Sequence, residues 1–353
     1  MTGGKPACQD KSFVAEGEEA WGLWTGDGWN QKGRAMTDIL ELRRIAGSLQ
    51  DGQFPPQVIV ETVSRCNLDC AMCPQSALTR PRGVMSLELV RKIIDEVADY
   101  APPSTKVWPA VMGEPLMARE RLWDVLSYAQ ERDVAIHMNT NANLLDAEAT
   151  RRILAYGVRE LIVGLDADTP ETYAKVRKNG DFARTLANVE AFIHASRNGG
   201  PKVVMQFIDV GINTHEIEPF KRRWLSKGAI VKTRVAQGWG HWDHLLEAEH
   251  LTIPMEERFM PCPWLFRNMV VLWDGRVTQC DGDMDCKFEA GDINKQSLRE
   301  VWLGELKRRR DRQMKLDFTD GPCHGCRDWQ VGLSKFWFPD EPDKFYAVDE
   351  RKA

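Results

Sequence analysis

The chain has 353 residues, 43% of them hydrophobic and 28% charged, enough to bury one large core and a small appendage. A net charge of −5 leaves no basic stripe, which argues against nucleic acid as a partner. No apolar run approaches the ~18 residues needed to span a bilayer, and the opening MTGGKPACQDKSF lacks the apolar stretch of a signal peptide, so the expected location is the cytoplasm, away from membranes.

Residues 1–53 read as an extension. It is rich in Gly and Trp (Trp21, Trp24, Trp29) and ends in a helix whose apolar positions Ile39, Leu42, Ile45 and Leu49 recur every three or four residues. From about residue 56, strand and helix patterns alternate. The predicted strands are Val58–Val63, Lys106–Val111, Ala135–Met138, Glu160–Leu165, Lys202–Ile208 and Ile230–Val235, short apolar runs mostly rich in β-branched residues. Helical patterns start near Ser86, Arg119, Asp146, Thr169 and His215, several with an N-cap residue or a first-turn Pro. Six βα repeats predict an α/β fold with a parallel sheet, too few strands for a closed eight-stranded barrel. A partial (β/α)6 barrel over residues 54–240 is therefore expected, with its functional loops at the C-terminal strand ends.

Past about residue 255 the pattern changes. Met269–Trp273, the turn Asp274-Gly275 and Val277–Cys280 predict a β-hairpin, followed by a helix over roughly Ser297–Met314. This gives a small hairpin-plus-helix domain over 241–330 and a tail over 331–353.

Nine cysteines are many for a chain with no export signal, and in a reducing compartment clustered cysteines are more often metal ligands or reactive thiols than disulfides. Cys66, Cys70 and Cys73 form one tight group directly after the first strand. At spacings of four and three they can hold three irons of a cubane and leave the fourth open to a small molecule. A structural zinc site is the alternative, but it normally takes four ligands, and no fourth Cys or His lies nearby. Cys262, Cys280, Cys323 and Cys326 form a later set of four, with Cys286 left over; Cys8 stands alone and reads as incidental.

Over about residues 56–235 the chain resembles the radical S-adenosylmethionine (SAM) superfamily. The resemblance rests on Cys66-Asn-Leu-Asp-Cys70-Ala-Met-Cys73 at the end of strand one and on several weaker segments. Met112-Gly113-Glu114-Pro115 looks like the family's glycine–glutamate motif, which implies that Gly113 and Glu114 receive the SAM amino group. Asn139–Asn143, with Asn141 at its centre, follows strand three as the family's "TNG" segment does. Asp166 and Asp168 end strand four, where SAM ribose contacts are usual. Thr172–Arg177 resembles the "YxxIR" stretch, and Gln206 lies in strand five. Met72 stands where the family commonly has an aromatic, which preserves an apolar contact under the adenine.

Residues 260–328 look like the family's C-terminal SPASM extension or its shorter version, Twitch. Five cysteines are fewer than the seven or so of a two-cluster SPASM domain, so Cys262, Cys280, Cys323 and Cys326 are expected to ligate one cluster at every iron. A four-cysteine zinc ribbon is the alternative on spacing alone. The resemblance thus implies two [4Fe–4S] clusters, SAM, and a flavodoxin or ferredoxin-type electron donor. Cys286 is either a small buried residue or a thiol that returns hydrogen to a substrate radical, as in the family's sugar epimerases.

Three outcomes compete: epimerisation, alcohol dehydrogenation with an electron passed to the auxiliary cluster, and peptide maturation. Many peptide maturases carry a leader-binding domain of roughly 80 residues before the barrel, longer than the 53 residues here. That and the single auxiliary cluster favour a small polyhydroxylated substrate such as a sugar, aminoglycoside or aminocyclitol. Gly238-Trp239-Gly240-His241-Trp242-Asp243-His244 offers stacking and hydrogen-bonding groups for one, or is an ordered linker.

Overall fold

A computed structural model describes residues 42–240, 257–319, 321–330 and 334–347. Six parallel strands form the barrel wall: β1 (Gln57–Val60), β2 (Lys106–Trp108), β3 (His137–Thr140), β4 (Glu160–Gly164), β5 (Lys202–Asp209) and β6 (Ile230–Val235). Their order follows the chain. β1 pairs with β2, β3 with β4, β4 with β5 and β5 with β6, while a single parallel bridge, Val107 to Ile136, joins β2 to the entry of β3. Each predicted strand is present: β1, β2 and β4 end earlier than expected, β3 lies two residues later, β5 runs one residue longer and β6 is unchanged.

The helices α1 (Leu87–Tyr100), α2 (Arg119–Glu131), α3 (Ala147–Ala155), α4 (Pro170–Val176), α5 (Phe182–Ser196) and α6 (Ile217–Ser226) lie between the strands. Ser86, Asp146 and Thr169 cap α1, α3 and α4 by accepting N–H groups of the first turn, as the sequence suggested. Strand alternation sorts the core. Val58, Val60, Leu161, Val163, Val203, Met205 and Val231 pack with the helices. The intervening residues Ile59, Trp108, Ile162, Val204 and Ile230 form a separate apolar layer on the concave side, closed by Phe336.

The C-terminal part is joined to the barrel more closely than its sequence pattern suggested. The hairpin β7 (Asn268–Val271) and β8 (Arg276–Thr278) does form, but β7 also pairs in parallel with β1, from Gln57–Asn268 to Val60–Val271. A short β9 (Gly291–Asp292) follows β8. At the far edge, β10 (Lys335–Phe338) and β11 (Glu341–Ala347), within the stretch expected as a tail, make a second hairpin that pairs antiparallel with β6. Both edges of the six-stranded wall are thereby paired, and the sheet margins pass to β9 and β11. The helix expected over 297–314 is broken at Gly304 into α8 (Leu298–Leu303) and α9 (Glu305–Met314), with a short α7 (Pro263–Arg267) before the hairpin.

A buried ion pair fastens the hairpin's connection to the barrel. Glu61, just past β1, accepts from Arg80 Nη1 at 2.8 Å and Nη2 at 2.5 Å, with both side chains almost fully buried. Burial pushes the Glu61 carboxyl above its usual range, against the lowering pull of Arg80. Arg80 Nε also donates to the Met284 carbonyl, and Asp285 accepts from Thr79 N, Thr79 Oγ1 and Arg80 N. Replacing Arg80 with Met leaves Glu61 buried and unpaired, so unfolding stability should fall by about 3–5 kcal/mol. Arg80→Met together with Glu61→Leu should recover most of that loss, as read by thermal unfolding.

Candidate functional site: two cysteine-lined centres

Cys66, Cys70 and Cys73 sit on the loop that leaves β1. Their surroundings are apolar: Leu68, Met72, Val176, Ile208 and Ala236 pack with the three thiols. Burial, with neighbouring sulfurs adding to it, pushes the Cys66 thiol up to about 11 and Cys73 to about 12. The loop is held from the α4–α5 side by a two-residue antiparallel ladder, Cys70 opposite Arg177 and Asp69 opposite Lys178. Ala71 N–H also donates to Val176 O.

Gly113, Glu114, Asn141, Asp166 and Arg177, all expected around SAM, converge on this loop, each for a visible reason. Gly113 is obligatory: a Cβ there would lie 2.0 Å from the Val63 carbonyl oxygen and 2.9 Å from that of Arg65. That close approach lets Glu114 N–H donate to Arg65 O, so the exit of β2 is stitched to the start of the cysteine loop. The Glu114 carboxylate is buried and accepts from Leu116 N, Thr140 Oγ1 and Asn141 N. Burial raises its pKa and these donors pull it back. Asn141 turns its amide to Asn67 Oδ1 at 3.0 Å and to Cys66 Sγ at 3.6 Å.

Asp166, fully buried at a positive φ of 58°, accepts from Ile208 N at 2.7 Å and pairs with Arg177 Nη2 at 2.5 Å. Arg177 Nη1 in turn donates to Cys70 Sγ at 3.4 Å. Burial alone would lower the Arg177 pKa, but Asp166 and the Cys70 sulfur hold it above its ordinary value. Gly164 makes room for the guanidinium, since a Cβ there would stand 2.3 Å from Nη2. Gln206 lies on the concave face of β5, between Val204 and Ile208 in the alternation and opposite Gly164 in register. Asp168 is placed elsewhere: it pairs with Arg223 Nε of α6 at 2.6 Å, and so serves helix packing rather than the cysteine loop.

The second set also converges. Cys262, Cys280, Cys323 and Cys326 line one small pocket with Gln279 and Asp281. Burial raises the Cys262 thiol to about 12 and lifts Cys280 and Cys326 well above the usual range, and the sulfurs raise one another. The 42–47 helix packs its Leu42 and Ile45 against Cys262, Met260 and Trp329 behind this pocket.

The sequence offered an ordered linker as one reading of the segment from Gly238, but not that this segment straps the two centres together. Trp239 Nε1 donates to Met72 O inside the first cysteine loop at 2.7 Å, while Gly238 and Gly240 N–H donate to the Asp328 carboxylate, two residues past Cys326. Gln237 reaches Asp281 beside Cys280. Trp239 and its flanking glycines thus tie the centres together; residues 241–244 of that segment lie outside the described residues. Arg234 was missed too. It shares the concave face of β6 with Ile230, and its Nη1 is buried without a hydrogen-bond partner, near Asp281, Asp166 and Asp328.

The donor sets fit iron–sulfur cubanes. All seven side chains are thiols held in apolar or amide-lined surroundings, and cysteine thiolates are the usual ligands of such clusters. Among the described residues no three Cys, His, Asp or Glu side chains gather tightly enough to hold a single ion. A cubane interposes its own sulfides and irons, and so spreads its ligands wider than one zinc ion does.

Three thiols, one short of a full cubane set, beside four in a second pocket are the donor sets that two iron–sulfur centres would need. The comparisons give the family. The model of the radical SAM superfamily matches residues 60–222, and that of an iron–sulfur cluster-binding domain, SPASM, matches residues 262–327. The chain belongs to the radical SAM superfamily and carries a SPASM domain, with [4Fe–4S] clusters and SAM as its cofactors.

Among curated proteins it is 30% identical over 138 residues to an AdoMet-dependent heme synthase of Methanosarcina barkeri, 38% of each chain. It is 24% identical over 215 residues to the mycofactocin maturase MftC of Mycolicibacterium smegmatis, 60% of this chain and 53% of that one. The chain thus spans only about half or less of these relatives' length. Among solved structures, BtrN in complex with AdoMet and 2-DOIA aligns with a TM-score of 0.53 at 16% identity, over 79% of this chain and 94% of BtrN. SuiB of Streptococcus suis bound to the precursor peptide SuiA gives 0.58 at 11% identity, over 76% and 68%. These likenesses show the fold. No helix of the described residues is long and apolar enough to cross a membrane.

Two outcomes test the assignments. Reconstituted protein should hold about eight irons, and replacing Cys66, Cys70 and Cys73 with Ala should leave about four and abolish SAM cleavage. Glu114→Gln should weaken SAM binding about tenfold, through loss of a charge-assisted contact, with iron content unchanged.

Proposed function

We propose that this protein is an epimerase of a small polyhydroxylated substrate (a sugar, aminoglycoside or aminocyclitol) in which Cys286 returns the hydrogen atom. The observation that supports this most is the place of Cys286. It belongs to a buried cluster with Val270 of β7 and Leu272 just past it, and Ile59 and Val111 pack against that cluster, so the thiol lies near the concave face of the barrel. Ile59 also belongs to the lumen layer with Trp108 and Ile162, and Val111 immediately precedes Met112-Gly113-Glu114. The segment carrying Cys286 is clamped at Met284 and Asp285 to the residues just past the first cysteine loop.

The state of the thiol suits the role. Burial raises its pKa to about 12, with Asp283 adding to the rise, so the group keeps its S–H hydrogen at neutral pH. It stands at a φ of 54°, a region that few residues other than glycine adopt, and such strain recurs at functional sites.

When bound, the first cluster and SAM supply a 5′-deoxyadenosyl radical that removes a hydrogen atom from a substrate carbon. Cys286 then breaks its S–H bond and forms the new C–H bond from the opposite face. The sulfur radical left behind takes one electron from an external donor and one solvent proton; a cluster held by Cys262, Cys280, Cys323 and Cys326 would be suited to relay that electron. A flavodoxin or ferredoxin-type protein is the proposed external electron source. On the lumen side, the half-buried Gln206 and the Nη1 of Arg234, which has no hydrogen-bond partner, offer donors that suit hydroxyl groups.

In D2O the product should carry one deuterium at the inverted carbon, and this delivery should stay flat from about pH 7 to about pH 9, because the thiol stays protonated throughout. Cys286→Ala and Cys286→Ser should keep both clusters and SAM cleavage but lose inversion. Wild-type protein giving only a ketone, with no solvent deuterium at the reacting carbon, would overturn the epimerase in favour of a dehydrogenase.

A further inference from the structure

Two side-chain amides converge on one sulfur of the second centre. Gln279 Nε2 donates to Cys323 Sγ at 2.9 Å, and Gln313 Nε2 donates to the same atom at 2.8 Å. Both glutamines are almost fully buried, in a chain where a buried amide must be satisfied to be tolerated.

Neither orientation is arbitrary. Gln313 Oε1 accepts the backbone N–H of Cys262 at 2.7 Å, which leaves its NH2 group facing Cys323. One amide from α9 therefore touches two members of the cysteine set. Gln279 Oε1 accepts from Arg309 Nη1 at 3.2 Å, and Arg309 is itself held by Glu305 and by the carbonyls of Phe288 and Glu289. The other sulfurs differ: Cys262 is approached by the backbone N–H groups of Trp264 and Leu265, and Cys326 by that of Asp328. Arg258 adds positive charge on the same side. Its guanidinium stacks 3.6 Å over Phe318 and acts electrostatically on Cys262, Cys323 and Cys326.

We propose that Gln279 and Gln313 are positioning residues that set the redox potential of the second cluster through Cys323. Adding an electron to a cysteine-ligated cluster adds negative charge that is shared with its sulfurs. N–H groups aimed at a sulfur stabilise that more negative state, and hydrogen bonds to the sulfurs are among the recognised determinants of cluster potential. The two amides therefore raise the potential and make the Cys323 side the more easily reduced one. The inference rests on the second centre being a cluster and holds whether the enzyme is an epimerase or a dehydrogenase.

The test uses the full chain with Cys66, Cys70 and Cys73 replaced by Ala, so that the second cluster alone gives the signal. Its midpoint potential is read by anaerobic titration followed by visible absorption and electron paramagnetic resonance. Gln279→Leu and Gln279→Met remove one N–H donor without touching the Cys262 backbone. Both should move the midpoint to more negative values, with about four irons retained. Adding Gln313→Leu to Gln279→Leu should move it further in the same direction. An unchanged midpoint in both Gln279 variants would overturn the proposal. So would loss of iron from them, since the amide would then be holding the site together rather than tuning it.

Discussion

The structure hangs on a buried charge. Glu61 and Arg80 meet with almost no water between β1, the first cysteine loop and the hairpin connection, where an isolated ion would cost several kcal/mol. The pair is bidentate and Arg80 still has Nε free for Met284, so one guanidinium fixes three chain segments at once. A pair of apolar residues could fill the same space, but it would not specify where the segment carrying Cys286 must lie. Trp273 adds to the clamp: its ring sits where a Cβ on Gly83 would go, and its Nε1 donates to Pro81 O.

The same logic governs the first centre. Arg177 is buried with a carboxylate on one side and a thiol sulfur on the other, so the positive charge that faces the centre is itself held in place. Glu114 is treated likewise by three donors from the ends of β2 and β3. Charged groups kept in apolar surroundings with every contact determined have little freedom to reorganise, which is the condition for positioning a reactive intermediate and excluding side reactions.

The two centres are not independent modules. The barrel's first strand is extended by β7 from beyond the first of the later cysteines, and the loop after β6 holds the first centre through Trp239 and the second through Asp328.

Much of this was legible in the chain itself. Strand and helix periods gave the six βα units because each element buries one face locally, and that information is written in consecutive residues. The thiol spacings at Cys66–Cys73 and the distribution of the four later cysteines marked both centres, because ligand identity is a property of residue type. Gly113 and Glu114 were legible as a motif, although the reason for the glycine, the backbone of Val63 and Arg65 pressed against it, was not. What only the tertiary structure decided is contact between residues far apart in the chain: β7 beside β1, Arg80 with Glu61 and Met284, two glutamines on one sulfur, and Cys286 against Ile59 and Val111. A glutamine or an arginine has the same local propensity whether it faces water or a buried sulfur. Its role is set by which surfaces the whole fold brings together, and no window of sequence contains that.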